Sequence, residues 1–272
     1  MSKLYPPQVN TSKLEIHLWW FTALLIAINV GLFAWQVLHG MDISNPSTID
    51  AIRWGADYAP LSFLAEPVRL FTSMFFHFGL IHLMLNMWAL YIFGSIAEQM
   101  LGRVYFIGLY FLAGISGSLL SGYVSIQDSY ELLRIGEANR ALLPSVGAGA
   151  SGAVMGIGAA LTILSLFPVL PQQRFLLDKR TLVSVMAINL VMGFMISGIN
   201  NAAHIGGMLM GAFLAATWYY GQKIQRGAVV NLASLLLGLA ICWFIYQYCL
   251  SLVVYVTPLW QELIQWMPNT TS

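Results

Sequence analysis

Charged side chains are scarce in this sequence. Only 8% of its 272 residues are Asp, Glu, Lys or Arg, whereas 58% are hydrophobic. An ordinary soluble domain carries roughly a quarter charged residues. Twelve basic and eleven acidic residues are too few to cover a core of this length with a polar shell. The scarcity excludes an ordinary soluble domain and indicates that lipid surrounds most of the surface.

Other missing features exclude further classes of protein. The formal net charge of +1 supplies no field that would attract nucleic acid, and no basic stripe alternates with aromatic residues, so we expect no nucleic-acid partner. Cys242 and Cys249 lie about two helical turns apart in one apolar run, too far for a disulfide within that helix. No His-Glu-x-x-His motif occurs, and no acidic residue accompanies His77 and His82. A metalloprotease is therefore not expected.

Long apolar runs dominate what is present. A bilayer core about 30 Å thick is crossed by roughly 20 apolar residues in a helix, since lipid offers no partner for backbone amides. Seven such runs predict an all-α, polytopic transmembrane helix bundle with a six-span core and an added seventh helix. The runs lie at about 16–38, 71–97, 102–124, 148–169, 181–199, 202–221 and 229–256.

The predicted organisation has four parts. A cytoplasmic segment, 1–15, precedes a six-span core, 16–221, which is followed by a loop and seventh helix, 222–257, and a tail, 258–272. No small-residue cleavage site follows the first run, so we expect that span to be retained.

The distribution of lysine and arginine predicts the orientation, because these residues accumulate on the cytoplasmic side. A cytoplasmic N-terminus puts eight of them inside and four outside. The inside set is Lys3, Lys13, Arg103, Arg174, Lys179, Arg180, Lys223 and Arg226, and the outside set is Arg53, Arg69, Arg134 and Arg140. Two long outside loops result, at about 40–70 and 125–145. The apolar-rich stretch 54–70 is expected to be a structured segment at the membrane interface.

The polar residues within the spans are informative, because each costs free energy unless it finds a partner inside the protein. His82 and Asn86 are spaced i, i+4, so both project from one face of the second helix and can offer donors to one oxygen. His77, placed in the same helix about 140° around it from His82, is predicted to have a structural role. Each histidine alone also fits a hydrogen bond between helices.

Glycines surround Ser151 at the outside start of the fourth span. Gly147, Gly149 and Gly152 permit an unusual backbone and close approach of a substrate strand, and the first helical amides point toward any oxyanion. Ser151 is therefore a candidate nucleophile. Taken alone, this pattern equally fits tight helix packing in lipid.

His204 opens the sixth span on the same side. Gly207 and Gly211, four residues apart, would let this helix lie close to the glycine-rich fourth helix and bring His204 to Ser151. A serine needs a base within about 2.6–3.2 Å to act as a nucleophile near neutral pH, and histidine is the usual base.

Together these residues resemble a known family. Arg69-Leu-Phe-Thr-Ser-Met-Phe-Phe-His77, His77-x4-His82-x3-Asn86, Gly149-Ala-Ser151-Gly152 and Ala203-His204-x-x-Gly207-x-x-x-Gly211 follow the order of the rhomboid intramembrane proteases, over about residues 50–220. The resemblance implies a serine endopeptidase that cleaves transmembrane protein substrates without a cofactor. It implies a multi-pass protein of the bacterial inner (plasma) membrane with its active site toward the outside.

The resemblance also implies residue roles. Ser151 would be the nucleophile and His204 its base, as a dyad without an acidic third member. The oxyanion hole would consist of His82, Asn86 and the Ser151 backbone amide. Two positions depart from the family pattern: Val68 stands where a tryptophan usually precedes Arg69, and Met155 stands where an aromatic ring often packs on the histidine.

Two alternatives stay open at this point. A transporter or channel would use the same histidines and the glycine-broken helix to line a path. A catalytically inactive rhomboid relative would only bind membrane clients, although both dyad residues are present. The oligomeric state is not predicted.

Overall fold

A computed structural model describes residues 16–169, 178–195 and 200–267. Eleven α-helices and one two-stranded ladder account for most of these residues. The helices are α1 (Trp20–Leu38), α2 (Thr48–Arg53), α3 (Ala59–Leu64), α4 (Arg69–Thr72), α5 (Leu80–Leu101), α6 (Arg103–Ile135), α7 (Ser151–Leu166), α8 (Lys179–Met195), α9 (Asn201–Lys223), α10 (Gly227–Val253) and α11 (Thr257–Gln265). The strands are β1 (Asp57–Tyr58) and β2 (Val146–Gly147), which pair antiparallel.

Four of these helices are long and apolar enough to cross a membrane: α1, α5, α6 and α10. A fifth, α7, is apolar but has only 16 residues. The fifth and sixth predicted runs correspond to α8 and α9. The protein is therefore an all-α, polytopic integral membrane protein, as the composition indicated.

The centre of the bundle is formed by α6, α7 and α9, which approach one another through small residues. A side chain at Gly117 of α6 would meet the Ala203 carbonyl oxygen at 2.6 Å, and one at Gly206 of α9 would meet the Ser116 carbonyl oxygen at 2.5 Å. The Ser116 hydroxyl donates to the Gly206 carbonyl at 3.0 Å. Backbone packed against backbone fixes the separation of these three helices.

The loop between α1 and α5, which the predicted orientation puts outside and which we call the outer loop, is ordered by polar contacts. Ser47 and Asp50 form a capping box at the start of α2. The buried Arg69 guanidinium donates to the carbonyls of Ile52 at 2.7 Å and Ala56 at 3.1 Å. The apolar-rich stretch 54–70 is thus a structured segment, as expected.

Two predicted boundaries are wrong. The second span does not begin at 71: Arg69–Thr72 and Ser73–Phe75 are separate short turns, and α5 starts only at Leu80. The chain turns at Gly79, whose φ of +91° favours glycine. His77 consequently lies before the helix instead of within it.

The third span is also longer than predicted. It continues as α6 to Ile135, where Gly136 ends it in a left-handed conformation. Its last turns are held by the C-terminal part of the chain, since the Tyr130 hydroxyl donates to the Leu252 carbonyl at 2.8 Å and the Trp260 indole donates to the Ser129 hydroxyl at 2.9 Å.

The predicted terminal segments are described only in part. Residues 1–15 lie outside the described ranges, and so do residues 268–272 of the predicted tail. The described part of the tail is mostly the helix α11, which packs against α3 of the outer loop.

Candidate active site

Ser151 and His204 meet at the centre of the bundle. Ser151 is the first residue of α7, and His204 lies in the first turn of α9. His204 Nε2 is 3.0 Å from Ser151 Oγ. This distance is within the range that a general base requires for a serine nucleophile. The pair anticipated from the glycine spacing is therefore brought together.

Glycine contacts explain why these two helices come so close. A Cβ at Gly207 would lie 2.8 Å from the Gly152 carbonyl carbon, and one at Gly211 would lie 2.6 Å from the Gly156 carbonyl carbon. Both distances are shorter than side chains tolerate, so α9 rests directly on the α7 backbone. Gly152 follows Ser151 immediately, and Gly207 lies about one helical turn beyond His204. The packing contact and the reactive pair are thus neighbours.

The start of α9 is fixed by Asn200, which the sequence reasoning did not single out. Its side-chain oxygen accepts from the Ala203 amide at 3.0 Å, and its amide nitrogen donates to the Ser121 hydroxyl at 2.6 Å. An asparagine directly before a helical run is a capping signal that would have pointed to it. Within the ranges that the structure describes, no hydrogen-bond partner reaches Nδ1 of the buried His204.

The loop before α7 is held in a conformation that needs glycine. Gly149 has φ of +117°, and its amide donates to the Ser73 carbonyl at 2.9 Å. The next amide, that of Ala150, points to His77 Nε2 at 3.5 Å. His77 therefore contacts the loop beside Ser151, although it is not in the helix where it was expected.

His82 and Asn86 project from α5 into the same cavity as the reactive pair. His82 Nδ1 accepts from the Phe78 amide at 3.2 Å, and a Cβ at Gly149 would lie 3.1 Å from His82 Nε2. The Asn86 side chain donates to the His82 carbonyl at 2.9 Å, within its own helix. The His77 and His82 rings lie 5.3 Å apart, edge to face.

The cavity has a volume of about 660 Å³. Met155, the residue at the position where an aromatic ring was anticipated, lines it and packs with Ala159 and Met186. β2 of the loop before α7 also lines it. Residues of α5, α6, α7 and α9 line much of the rest.

Asp57 of the outer loop also borders this cavity and was not singled out from the sequence. Its carboxylate is buried and accepts from the Ser62 hydroxyl at 2.5 Å. Burial raises the pKa of Asp57 to about 6, while the Ser62 hydrogen bond and the charge of Arg69 act in the opposite direction. An acidic residue in a loop carries no sequence signal of burial.

Arg69 contacts residues of the outer loop and does not contact the reactive pair. Besides its two carbonyl contacts, its guanidinium pairs with Glu66 at 2.8 Å. Val68, where a tryptophan was anticipated, is 60% exposed. The valine at position 68 therefore does not disturb the contacts by which Arg69 holds the outer loop.

Comparison with known proteins gives the family. The sequence model of the rhomboid domain matches residues 64–221. Rhomboid protease GluP of Bacillus subtilis is 32% identical over 227 residues, which are 83% of this chain and 40% of that protein. Rhomboid protease AarA of Providencia stuartii is 26% identical over 243 residues, which are 84% of this chain and 83% of that protein. RHOMBOID-like protein 1 of Arabidopsis thaliana is 32% identical over 211 residues, 75% of this chain and 49% of that protein.

The match extends beyond the residues of the cavity. The rhomboid domain model runs from α3 to the end of α9 and so includes Ser151, His204 and the helices that position them. The chain spans about half or less of the length of two of these three relatives. Since the domain model covers more than half of the sequence, this protein belongs to the rhomboid family.

Proposed function

We propose that this protein is an intramembrane serine endopeptidase that cleaves peptide bonds in or near transmembrane segments of other membrane proteins. The observation that carries the proposal is the 3.0 Å separation of His204 Nε2 and Ser151 Oγ inside a cavity among apolar helices. A serine hydroxyl becomes a nucleophile when a base accepts its proton. Two of the relatives are named rhomboid proteases.

The reaction can be derived from this geometry. Nε2 of neutral His204 takes the Ser151 proton while Oγ attacks the scissile carbonyl carbon, which gives a tetrahedral intermediate with a negative oxygen. The intermediate expels the amine, which receives the proton from His204, and an acyl ester on Ser151 remains. Water then gives its proton to His204 and attacks the ester, so that Oγ regains its proton and the acid product leaves.

We assign three donors to the negative oxygen. The Ser151 amide is at the first helical position, where no partner within the helix exists. His82 Nδ1 accepts from the Phe78 amide, so the ring proton is on Nε2. Nε2 lies next to the Gly149 loop and can donate there. Asn86 reaches the same space if its amide group turns away from the His82 carbonyl, to which it now donates. Each donor acts where charge develops in the transition state.

The proposed substrate is a transmembrane protein, because the cavity lies among apolar helices. A substrate helix must unwind locally to expose its carbonyl, and small or helix-breaking residues reduce that cost. We place residues 16–221 in the six-span protease core and residues 222–257 in the loop and seventh span. We assign the protein to a bacterial inner (plasma) membrane because two of its relatives are bacterial rhomboid proteases. The lysine and arginine distribution supports a cytoplasmic N-terminus and an active site toward the outside.

A serine-reactive fluorophosphonate probe tests the function directly. We expect the purified protein in liposomes to be labelled at Ser151, and labelling and proteolysis to be lost in Ser151→Ala and in His204→Ala. Ser165→Ala is the matched control, because Ser165 lies near the other end of α7 and donates to the Thr162 carbonyl. Normal cleavage by Ser151→Ala would end the proposal. A wild-type protein that reacts with no serine probe and cleaves no transmembrane segment would favour the two alternatives, an inactive rhomboid relative or a transporter.

A further inference from the structure

We propose that the C-terminal helix α11 is a positioning element of the active site: Trp260 fixes the outer loop, and that loop holds the strand β2 that leads into Ser151. Trp260 does not touch the reacting atoms, so it is a positioning residue. The proposal rests on the proposed function for its activity readout, although its structural part can be measured without any substrate.

Trp260 anchors α11 in the bundle. Its side chain is completely buried, and its indole N–H donates to the Ser129 hydroxyl at 2.9 Å. Its ring centroid lies 6.5 Å from that of Phe63, which belongs to α3 in the outer loop. Phe63 in turn stacks on Tyr246 of α10 with centroids 5.8 Å apart. One indole therefore connects the end of the chain to α6 and to the outer loop.

The last turn of α11 and the residues directly after it reach further, toward β2. Ile264 and Met267 pack against a buried cluster of the outer loop that consists of Ile52, Tyr58 and Leu61. Val146 of β2 packs against the same cluster. The C-terminal helix, the outer loop and β2 thus share a single apolar cluster, which we call the rim cluster.

The ladder of β1 and β2 is too short to keep β2 in place by itself. It consists of two residue pairs, Asp57 with Gly147 and Tyr58 with Val146. An isolated two-stranded ribbon is marginal even when it is much longer. Packing of the rim cluster must therefore supply most of its stability, and α11 contributes one side of that cluster.

The position of β2 matters because the nucleophile lies only a few residues further along the chain. Gly147 and Ala148 line the cavity and lead directly into Gly149 and Ser151. A displacement of about 1 Å at a reacting group costs as much as a hundredfold in rate. Loosening α11 should therefore slow the reaction of Ser151 without altering the chemistry of the dyad.

The test compares two tryptophans of the same segment in the full-length protein. Trp260→Ala removes the buried anchor, whereas Trp266→Ala removes a ring that is 80% exposed. Trp260→Phe keeps an aromatic ring and removes only the donor to Ser129. The first readout is amide hydrogen exchange of residues 57–64 and 146–148, and the second is fluorophosphonate labelling followed to completion.

For Trp260→Ala we expect exchange in both segments to accelerate about tenfold or more, because a locally packed unit opens more often when its anchor is lost. We expect the labelling rate constant to fall about tenfold, with an unchanged final extent of labelling. Trp266→Ala should match the wild type, and Trp260→Phe should recover most of the rate. General destabilisation would instead lower the final extent and leave the rate constant of the remaining folded protein unchanged.

Unchanged exchange in residues 57–64 and 146–148 would overturn the proposal, as would equal effects of the two tryptophan-to-alanine substitutions. If Trp260→Ala does not accumulate, Ile264→Ala removes part of the rim cluster and should produce the same changes to a smaller extent. Failure of the wild type to label would refute the proposed function alone, because the exchange measurement would still decide whether α11 fixes the rim.

Discussion

Replacing Gly207 by alanine should separate the reactive pair through a single added methyl group. The new Cβ would lie 2.8 Å from the carbonyl carbon of Gly152 and closer still to its oxygen. Ordinary van der Waals contact begins at 3.4 Å. Both obstacles are backbone atoms of α7, so no side-chain rotation can make room. The two helices must therefore move apart by more than half an ångström.

The consequence for the site can be worked from the same geometry. Ser151 and His204 flank this contact, and their hydrogen bond is 3.0 Å long. An added separation of that size brings the distance beyond about 3.5 Å, where a hydrogen bond is lost. We expect the rate of Ser151 labelling to fall on the order of a hundredfold. Overpacking should also reduce the free energy of unfolding by about 1–3 kcal/mol.

Gly31 provides the matched control for this experiment. It lies within α1, and a Cβ built on it meets no atom within 4 Å. Gly31→Ala should therefore label at the wild-type rate and be as stable as the wild type or more so. Labelling kinetics and thermal unfolding in detergent micelles measure both quantities. A Gly207→Ala protein with wild-type labelling and stability would refute the argument that backbone contact sets the Ser151 to His204 distance.

Three further perturbations test other parts of the structure. Asn86→Ala should lower kcat by about 10²–10³-fold, as removal of an oxyanion donor does, and an unchanged kcat would reject this role. Glu98→Ala leaves the Phe21 and Thr22 amides and the Thr22 hydroxyl without their acceptor, so the unfolding free energy should fall by roughly 1–3 kcal/mol per unsatisfied donor. The raised pKa of Asp57, about 6 against an ordinary 3.8, means that its protonated form favours the folded state. That contribution to stability is complete below about pH 4 and is lost as the pH rises through 6. The melting temperature of Asp57→Asn, measured relative to the wild type at the same pH, should therefore increase from pH 4 to pH 7. A difference that stays constant with pH would contradict the burial argument.

The fold was largely predictable because lipid restricts the possibilities. A chain in a bilayer must satisfy its backbone within helices, so apolar runs locate the spans. What failed was the assignment of boundaries. Hydrophobicity did not reveal the turn at Gly79, because residues on both sides of it are apolar, and His77 was consequently placed in a helix. Nor could it reveal that α6 extends to Ile135, since the last turns of this helix are polar and are contacted by Trp260, more than a hundred residues later.

The candidate site was predictable for a related reason. A polar side chain within a span costs free energy, so the few that occur are conspicuous, and residue type and spacing made Ser151, His204 and His82 candidates. The same patterns also fitted helix packing, and the resemblance to the rhomboid family implied their roles. Asn200 and Asp57 were missed because polar residues are ordinary in turns and loops. The hydrogen bond of Asn200 to Ser121 and the burial of the Asp57 carboxylate arise only from tertiary contacts.

The membrane setting also explains how an imidazole can be oriented without a carboxylate. For Nε2 of His204 to accept the serine proton, its single proton must be on Nδ1, and the described residues offer Nδ1 no partner. A carboxylate placed there would have to leave water for a site of low dielectric constant, at a cost of several kcal/mol per ion. The position of the helix that carries the ring must then orient the imidazole, as an acidic residue does in water-soluble serine proteases. In this protein Gly207 and Gly211 set that position against the backbone of α7, so we expect the glycines of α9 to orient the proposed base.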